Sequence, residues 1–319
     1  MVHTVQLYTN ISFEEKNIIE KRFKKSIEEV MKEINSDGEA IKFSGKNREC
    51  YYQINIFADV TKILNRGNVY EEDYYEVKKK IDEKIEYLVG YILELTLIRI
   101  DYRFDKYISS NTERLILTHL YKKMIDKHGF KKKKSNKKYK TSIRYDSKSM
   151  QIIIYDKEQE RKDRNKKCED YERCILRFEV KLLNKHLNYN KRRYNIEKNL
   201  KNYFSKSLQT KYMLSNIQKI VYKGDYYNIR EANKIINRST ISDKDKQFVR
   251  EFLIDISKKG VTGAKQITID NNKIKYTKYK FKKVISILEE LNINPILIPK
   301  GKEYLGNERI YYIKNPFDL

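Results

Sequence analysis

Met150-Gln-Ile-Ile-Ile-Tyr-Asp-Lys-Glu-Gln-Glu-Arg-Lys-Asp163 changes character halfway along. Its first six residues are mostly apolar, with three β-branched isoleucines, and a strand's two-residue repeat sends Gln151, Ile153 and Tyr155 to one face and Ile152 and Ile154 to the other. From Asp156 onward the run is charged. The phenol of Tyr155 therefore sits where a strand ends and basic groups begin, with Lys157, Arg161 and Lys162 near enough to hold a phosphate beside it. A packed tyrosine is the plainer alternative, because the chain contains 27 of them.

Working outward, segments rich in β-branched and aromatic residues, or alternating in polarity, recur at Val5 to Tyr8, Ala40 to Phe43, Cys50 to Phe57, Leu95 to Asp105, Thr141 to Tyr145 and Cys174 to Leu182. Asp146-Ser-Lys-Ser149 reads as a hairpin turn leading into the strand of Tyr155. Two stretches carry a helical repeat instead. Glu71 to Val89 places Tyr74, Val77, Ile81, Ile85 and Leu88 on one face, and Thr112 to His128 does the same with Leu117, Leu120 and Met124 before Gly129. Helices covering one face of a mostly antiparallel sheet make an α+β domain. Beyond about Asn184 the pattern turns helical, over Ile196 to Tyr222, Ile229 to Asn237, Lys244 to Lys258 and Tyr279 to Leu291. The expected organisation is an α+β domain over 1–184 followed by a mainly helical domain over 185–319. Pro295 to Pro299 and Glu308 to Ile313 flank a glycine-containing turn and suggest a terminal hairpin, a wing beside a helix-turn-helix. A length of 319 residues suits two domains.

The balance of 69 Lys and Arg against 44 Asp and Glu leaves a net charge of +25, an excess that favours a polyanion through counterion release. Basic residues alternate with aromatics and Asn, which points to nucleic acid before an anionic membrane. No run approaches the ~18–20 apolar residues of a membrane span, and the first residues lack a basic region followed by an apolar one, so a cytoplasmic protein is expected. Cys50, Cys168 and Cys174 give neither an even disulfide framework nor a CxxC metal spacing. The abundance of Lys, Ile, Asn and Tyr without Trp is that of an AT-rich genome.

In Leu97 to Asp105, Ile98, Ile100, Tyr102 and Phe104 form an apolar face, and Arg99, Asp101, Arg103 and Asp105 form its opposite. In Cys174 to Leu182, Arg177, Glu179 and Lys181 alternate with Leu176, Phe178 and Val180. If both strands turn their apolar faces to the helices, the carboxylates emerge together on an open face. Two readings follow from the spacing: oxygen ligands for a hard divalent cation, Mg2+ or Mn2+, or cross-strand pairs of acid and base.

Ile154-Tyr-Asp-Lys-Glu-Gln-Glu-Arg-Lys-Asp163 closely resembles the catalytic tyrosine segment of the rolling-circle replication initiators of small staphylococcal plasmids, where the tyrosine is followed by Asn-Lys, a Gln-Glu pair and Arg-Lys-Asp. Ile98-Arg-Ile-Asp-Tyr-Arg-Phe-Asp105 and Leu176-Arg-Phe-Glu-Val180 follow the same family pattern in the same order. Together they cover the middle third of the chain. The overall layout, with its basic helical tail, also resembles the replication endonucleases of filamentous phages and their relatives in low-GC bacteria. Asp156 departs from the family's Asn, and the first 40 residues show no close match.

The resemblance implies that Tyr155 is a nucleophile and that Asp101 and Glu179, with Asp105 as a third, hold the divalent cation. Many rolling-circle nucleases use a His-apolar-His pair for the metal; His3, His119, His128 and His186 offer no such spacing, and no catalytic role is assigned to them. The implied reaction is attack of the Tyr155 oxygen on a scissile phosphate, leaving a 5′-phosphotyrosyl link and a 3′-hydroxyl for a polymerase. A phenol titrates near pH ~10, so it needs help from a cation, for which Lys157 stands nearest. Glu160 is a candidate base for a second cleavage, and a helix-start carboxylate otherwise; a second protomer in a homodimer would supply another Tyr155.

Arg99 and Arg177, set among the carboxylates, and Arg161 and Lys162 are expected to meet DNA. Lys131, Lys132, Lys133 and Lys134 form a basic clamp, and Lys191, Arg192 and Arg193 a second cluster; such contacts position a strand without reading it. The partners so implied are origin DNA, duplex and single-stranded, with a host helicase and polymerase. A non-enzymatic DNA-binding regulator of replication or transcription is the alternative. The nicking reading also expects Tyr155, Asp101 and Glu179 on one solvent-accessible sheet face.

Overall fold

Alternation in the sequence becomes strand pairing in the computed structural model, which describes residues 1–36, 38–123, 131–132 (backbone only), 141–269, 272–299 and 310–317. Strands β1 (Val2–Ile11), β2 (Ile41–Asn47), β3 (Tyr52–Asp59), β4 (Thr96–Tyr107), β5 (Lys131–Lys132), β6 (Ser142–Asp146), β7 (Met150–Asp156) and β8 (Ile175–Leu183) form a sheet in the order β2-β3-β1-β4-β8-β7-β6-β5. The pairings of β1 with β3, β1 with β4 and β2 with β3 are antiparallel. With its helices this is an α+β fold. The three segments Leu97 to Asp105, Met150 to Tyr155 and Cys174 to Leu182 lie within β4, β7 and β8, apart from Cys174, and β8 is the strand between the other two.

The chain divides into two compact units, each discontinuous in sequence. The first comprises Met1–Phe104, Asp146–Ile152 and Glu179–Met213, and the second Asp105–Tyr145, Ile153–Phe178 and Leu214–Leu319. The expected boundary at residue 184 thus falls inside the first unit, because β4, β7 and β8 each contribute residues to both.

In the first unit β3 alternates without a break, with Tyr52, Ile54, Ile56 and Ala58 buried and Gln53, Asn55, Phe57 and Asp59 partly exposed. Two further helices, α1 (Phe13–Phe23) and α2 (Ile27–Ile34), fill the link from β1 to β2. Each starts on a capping box: Ser12 accepts from the Glu15 amide at 3.1 Å while Glu15 accepts from the Ser12 amide at 2.6 Å, and Ser26 and Glu29 repeat the arrangement. After the short α3 (Val60–Ile63), α4 (Tyr74–Val89) buries Val77, Ile81, Ile85 and Leu88 along one face, each such side chain contributing roughly 1.5–3 kcal/mol. Beyond β8 the unit continues through α7 (Asn184–Tyr194), α8 (Leu200–Phe204) and the start of α9 (Lys206–Ile217).

The second unit holds α5 (Asn111–Lys122), α6 (Lys157–Asp163) and, later in the chain, α10 (Ile229–Arg238), α11 (Asp243–Lys265) and α12 (Lys278–Glu290). Its core sets Tyr121 and Phe178, and Phe178 and Phe317, edge to face, with ring centroids 5.6 and 4.5 Å apart. Gly260, at φ 71°, breaks α11 where the Lys123 carbonyl would lie 2.8 Å from any added Cβ. A small sheet of β10 (Thr268–Ile269) and β11 (Lys273–Ile274) follows α11. The terminal hairpin is corrected: the partner of β12 (Tyr312–Ile313) is β9 (Tyr226–Tyr227), to whose Tyr227 carbonyl the Ile298 amide also donates at 2.9 Å. The intervening 300–309 lie outside the described residues. Among the described residues no helix is long and apolar enough to cross a membrane.

On the edge strand β2, Gly45 faces the ring of Tyr52, whose hydroxyl would lie 1.6 Å from an added Cβ. The missing side chain is what lets this fully buried ring lie across the strand pair, with its hydroxyl donating to Glu28 at 2.8 Å. Gly45→Ala should therefore cost about 1–3 kcal/mol in urea unfolding by overpacking. In a Tyr52→Ala background the same change should cost less than about 0.5 kcal/mol, since the two sites then no longer touch.

Candidate functional site

On β4 and β8 the charged side chains are turned against one another. In the first unit Asp101 Oδ2 accepts from Thr4 Oγ1 at 2.7 Å, Arg99 at 2.6 Å and Lys181 Nζ at 2.9 Å, and Oδ1 accepts from Arg99 Nε at 2.8 Å. Register provides the first contact, because Thr4 of β1 lies opposite Asp101. The Lys181 ammonium also lies 3.1 Å from Glu179, whose other oxygen is 3.2 Å from His3 Nδ1, off the line of a good hydrogen bond. Asp101 is 0% and Glu179 3% exposed.

In the second unit Arg177, fully buried, donates to both oxygens of Asp105 at 2.7 and 2.8 Å. Asp105 thus serves as the partner of an arginine. The β7 strand hands over to α6 at Asp156, which caps the helix by accepting from the Gln159 amide at 3.0 Å and pairs with Arg114 at 2.6 Å. This accounts for an acid where the resembling proteins carry Asn: the capping oxygen is kept, and the charge neutralises a buried guanidinium.

Tyr155, just before that cap, is 8% exposed, and the Lys157 ammonium lies 5.8 Å from its ring centroid. Lys157 reaches Glu160 at 2.9 Å and Glu172 at 3.5 Å, while Arg161 grips Glu172 through two bonds of 2.7 and 2.5 Å. Burial, helped by the Arg177 charge, lowers the Lys157 pKa below its ordinary value against the pull of Glu160. Burial opposes ionisation of Glu172, yet its bonds from Arg161 and the nearby Lys157 outweigh that and hold its pKa at about 2. Glu160 is shared between Lys157 and Arg164. Lys162 is exposed and pairs with Glu158 at 2.8 Å.

The structure therefore brings Asp101 to Glu179 through Lys181, and Lys157, Glu160 and Arg161 together around Glu172. The expected solvent-accessible face is corrected: Asp101, Glu179 and Tyr155 are all buried, because the strands' acids and bases neutralise one another instead of facing water. Phe104, expected in the apolar face, is 38% exposed. A register shift between Gln6 and Leu7 in the pairing of β1 with β4 interrupts the simple alternation around Ile98. Lys191, Arg192 and Arg193 stand exposed at the end of α7. Lys131 and Lys132 lie in β5, where only backbone is described, and Lys133 and Lys134 lie outside the described residues.

A divalent cation does not fit the acidic group as packed. The oxygens are of the right chemistry, but both Asp101 oxygens already accept from a cationic side chain, and Lys181 stands between the two carboxylates where a bridging ion would stand. Asp105 is committed to Arg177. Among the described residues no group of three or more His, Cys, Asp and Glu side chains is arranged to hold a metal ion.

Sequence reasoning missed Thr4, Arg114 and Glu172, and gave His3 and Lys181 no part in the site. Lys181 was visible as one of the alternating charges of β8; the others are brought in by long-range pairing that no local pattern announces. No protein-family model matches the chain, and no curated protein matches it.

Glu172 has a depressed pKa, so its pairing contributes stability above the unfolded carboxyl value near 4.5 and loses it as pH falls toward about 2. Glu172→Gln should destabilise the protein by roughly 1–3 kcal/mol at pH 7 after allowing for solvent screening. The gap between variant and wild type should close between pH 5 and about 2 in denaturant titrations, and a gap that persists at the lowest pH would refute the assignment.

Proposed function

We propose that this chain nicks and rejoins one strand of DNA through Tyr155, and so starts rolling-circle replication of a plasmid or phage. The observation that carries the reading is the adjacency of β4, β8 and β7 in the sheet: three segments far apart in sequence, which together resemble the initiators, are neighbours in space. Tyr155 ends the last of them, beside a buried lysine.

In the reaction the Tyr155 oxygen attacks phosphorus, the bond from phosphorus to the 3′ oxygen breaks, and that oxygen takes up a proton. The product is a 5′-phosphotyrosine that the 3′-hydroxyl can reverse, so bond energy is conserved. The phenol must lose its proton, and a cation close to the ring favours the phenolate. Lys157 supplies that cation, its ammonium 5.8 Å from the centre of the Tyr155 ring. Arg161 and Arg177, now forked onto carboxylates, have the geometry that grips phosphate oxygens. The reaction also requires Tyr155 to turn outward from its 8% exposure when DNA binds.

That burial favours a second reading, a non-enzymatic DNA-binding regulator in which Tyr155 is a packing residue and the +25 charge supplies the affinity. Supercoiled DNA of the replicon that carries the gene, incubated with protein and Mg2+ or Mn2+ and run on a denaturing gel, separates the two. The nicking reading expects a covalent protein–DNA adduct that Tyr155→Phe abolishes, falling at least about 1000-fold in rate with the loss of the nucleophile. An adduct unchanged in the variant removes Tyr155 as nucleophile. Retardation of the DNA with no adduct from wild-type protein supports the regulator.

A further inference from the structure

The α7 helix and the turn after it, Lys185 to Lys201, carry six basic residues and one acid, Glu197. What sets the region apart from a merely solvated basic face is its aromatic content. Tyr189 and Tyr194 are 47% and 53% exposed, and their rings meet edge to face with centroids 5.8 Å apart. The Lys211 ammonium, from α9, lies 5.3 Å from the centre of the Tyr194 ring. Lys185, Arg192 and Arg193 are exposed, and they stand four residues before, three after and four after Tyr189, which on a helix sets them around that ring. Lys191 is paired with Glu197 at 2.8 Å, but among the described residues neither Arg192 nor Arg193 has an acidic partner within 4.0 Å.

The helix beneath is fixed. Leu187 and Asn190 are fully buried, Asn190 donates to the Tyr203 and Tyr212 hydroxyls at 3.1 and 2.7 Å, and His186 lies 3.0 Å from the Tyr212 hydroxyl. The tyrosines are thus presented on a rigid support, so little order remains to be imposed when a ligand arrives.

We infer that the outer face of α7, with Tyr189 and Tyr194 as stacking surfaces and Arg192 and Arg193 as phosphate contacts, binds an unpaired DNA strand. Flat exposed rings offer a base plane a partner only where the bases are unstacked, and cations spaced around them follow the backbone. A duplex offers the cations its phosphates but withholds its base faces from the rings. This inference does not depend on the nicking reading.

The full chain, held in EDTA, would be titrated against a fluorescent dT oligomer, a duplex of the same length and anionic phosphatidylserine vesicles. Wild type should prefer the dT oligomer over the duplex. Tyr189→Ala with Tyr194→Ala should weaken dT binding about tenfold or more, with the duplex affected less than twofold, while Tyr189→Phe with Tyr194→Phe keeps the affinity because the ring faces remain. Arg192→Gln with Arg193→Gln should reduce the slope of log K against log salt by about 1.4, or ~0.7 for each phosphate no longer neutralised. Equal affinity for strand and duplex, an Ala pair that binds dT as wild type does, or binding to vesicles alone would overturn the inference. Absence of any adduct from the wild-type protein, with dT selectivity intact, would sink the nicking reading alone, and an adduct that Tyr155→Phe abolishes, with dT binding indifferent to Tyr189 and Tyr194, would sink this one alone.

Discussion

Burying a charge in the protein costs several kcal/mol per ion, and only close partners offset it. Here the sheet itself carries such charges: Asp101, Glu179 and Arg177 on β4 and β8, and Asp156, Lys157 and Glu172 around the start of α6, are all buried. Some partners are close in sequence, as Arg99 is to Asp101, and others come from another strand, as in Asp101 with Lys181 and Asp105 with Arg177. Both of these pairs require the same register of β8 on β4, since 101 and 181 have the same sum as 105 and 177. A slip of one residue would turn each side chain to the other face and leave several ions buried without neutralisation, so charge fixes the register as firmly as apolar burial does.

The parts legible in the sequence were those governed by local periodicity. Met150 to Tyr155 and Leu95 to Asp105 differ from β7 and β4 by a residue or two at their ends, and the apolar face of α4 is the one its spacing gives. Helices α1 and α2 escaped although Ile27, Val30, Met31 and Ile34 give α2 a short helical repeat and both helices carry a Ser-x-x-Glu start; only in α1 do charges break up the apolar spacing. The helix after β8 begins at Asn184, twelve residues before the expected one, at a strand-to-helix junction with no side-chain cap to mark it.

The candidate site was legible as a set of residue types and not as a set of contacts. Alternation correctly put Asp101, Glu179 and Lys181 into one charged set, yet it left open whether the acids would meet a metal or a base, and the structure pairs them with bases. Thr4 enters from 97 residues away in sequence and His3 from still further, and Glu172 enters from a loop whose own pattern says only that it is polar. Pairing over such separations is set by the topology of the sheet, which periodicity does not encode.

On the nicking reading, these ion pairs also decide how DNA can be bound near Tyr155. A phosphodiester that engages Arg161 or Arg177 has to take the place of Glu172 or Asp105, one anion exchanged for another of equal charge and similar fork geometry. Such an exchange gains little free energy by itself, because the arginine is neutralised before and after. Affinity must then come from cations that have no acid to give up, and among the described residues Arg192 and Arg193 on α7 are of that kind.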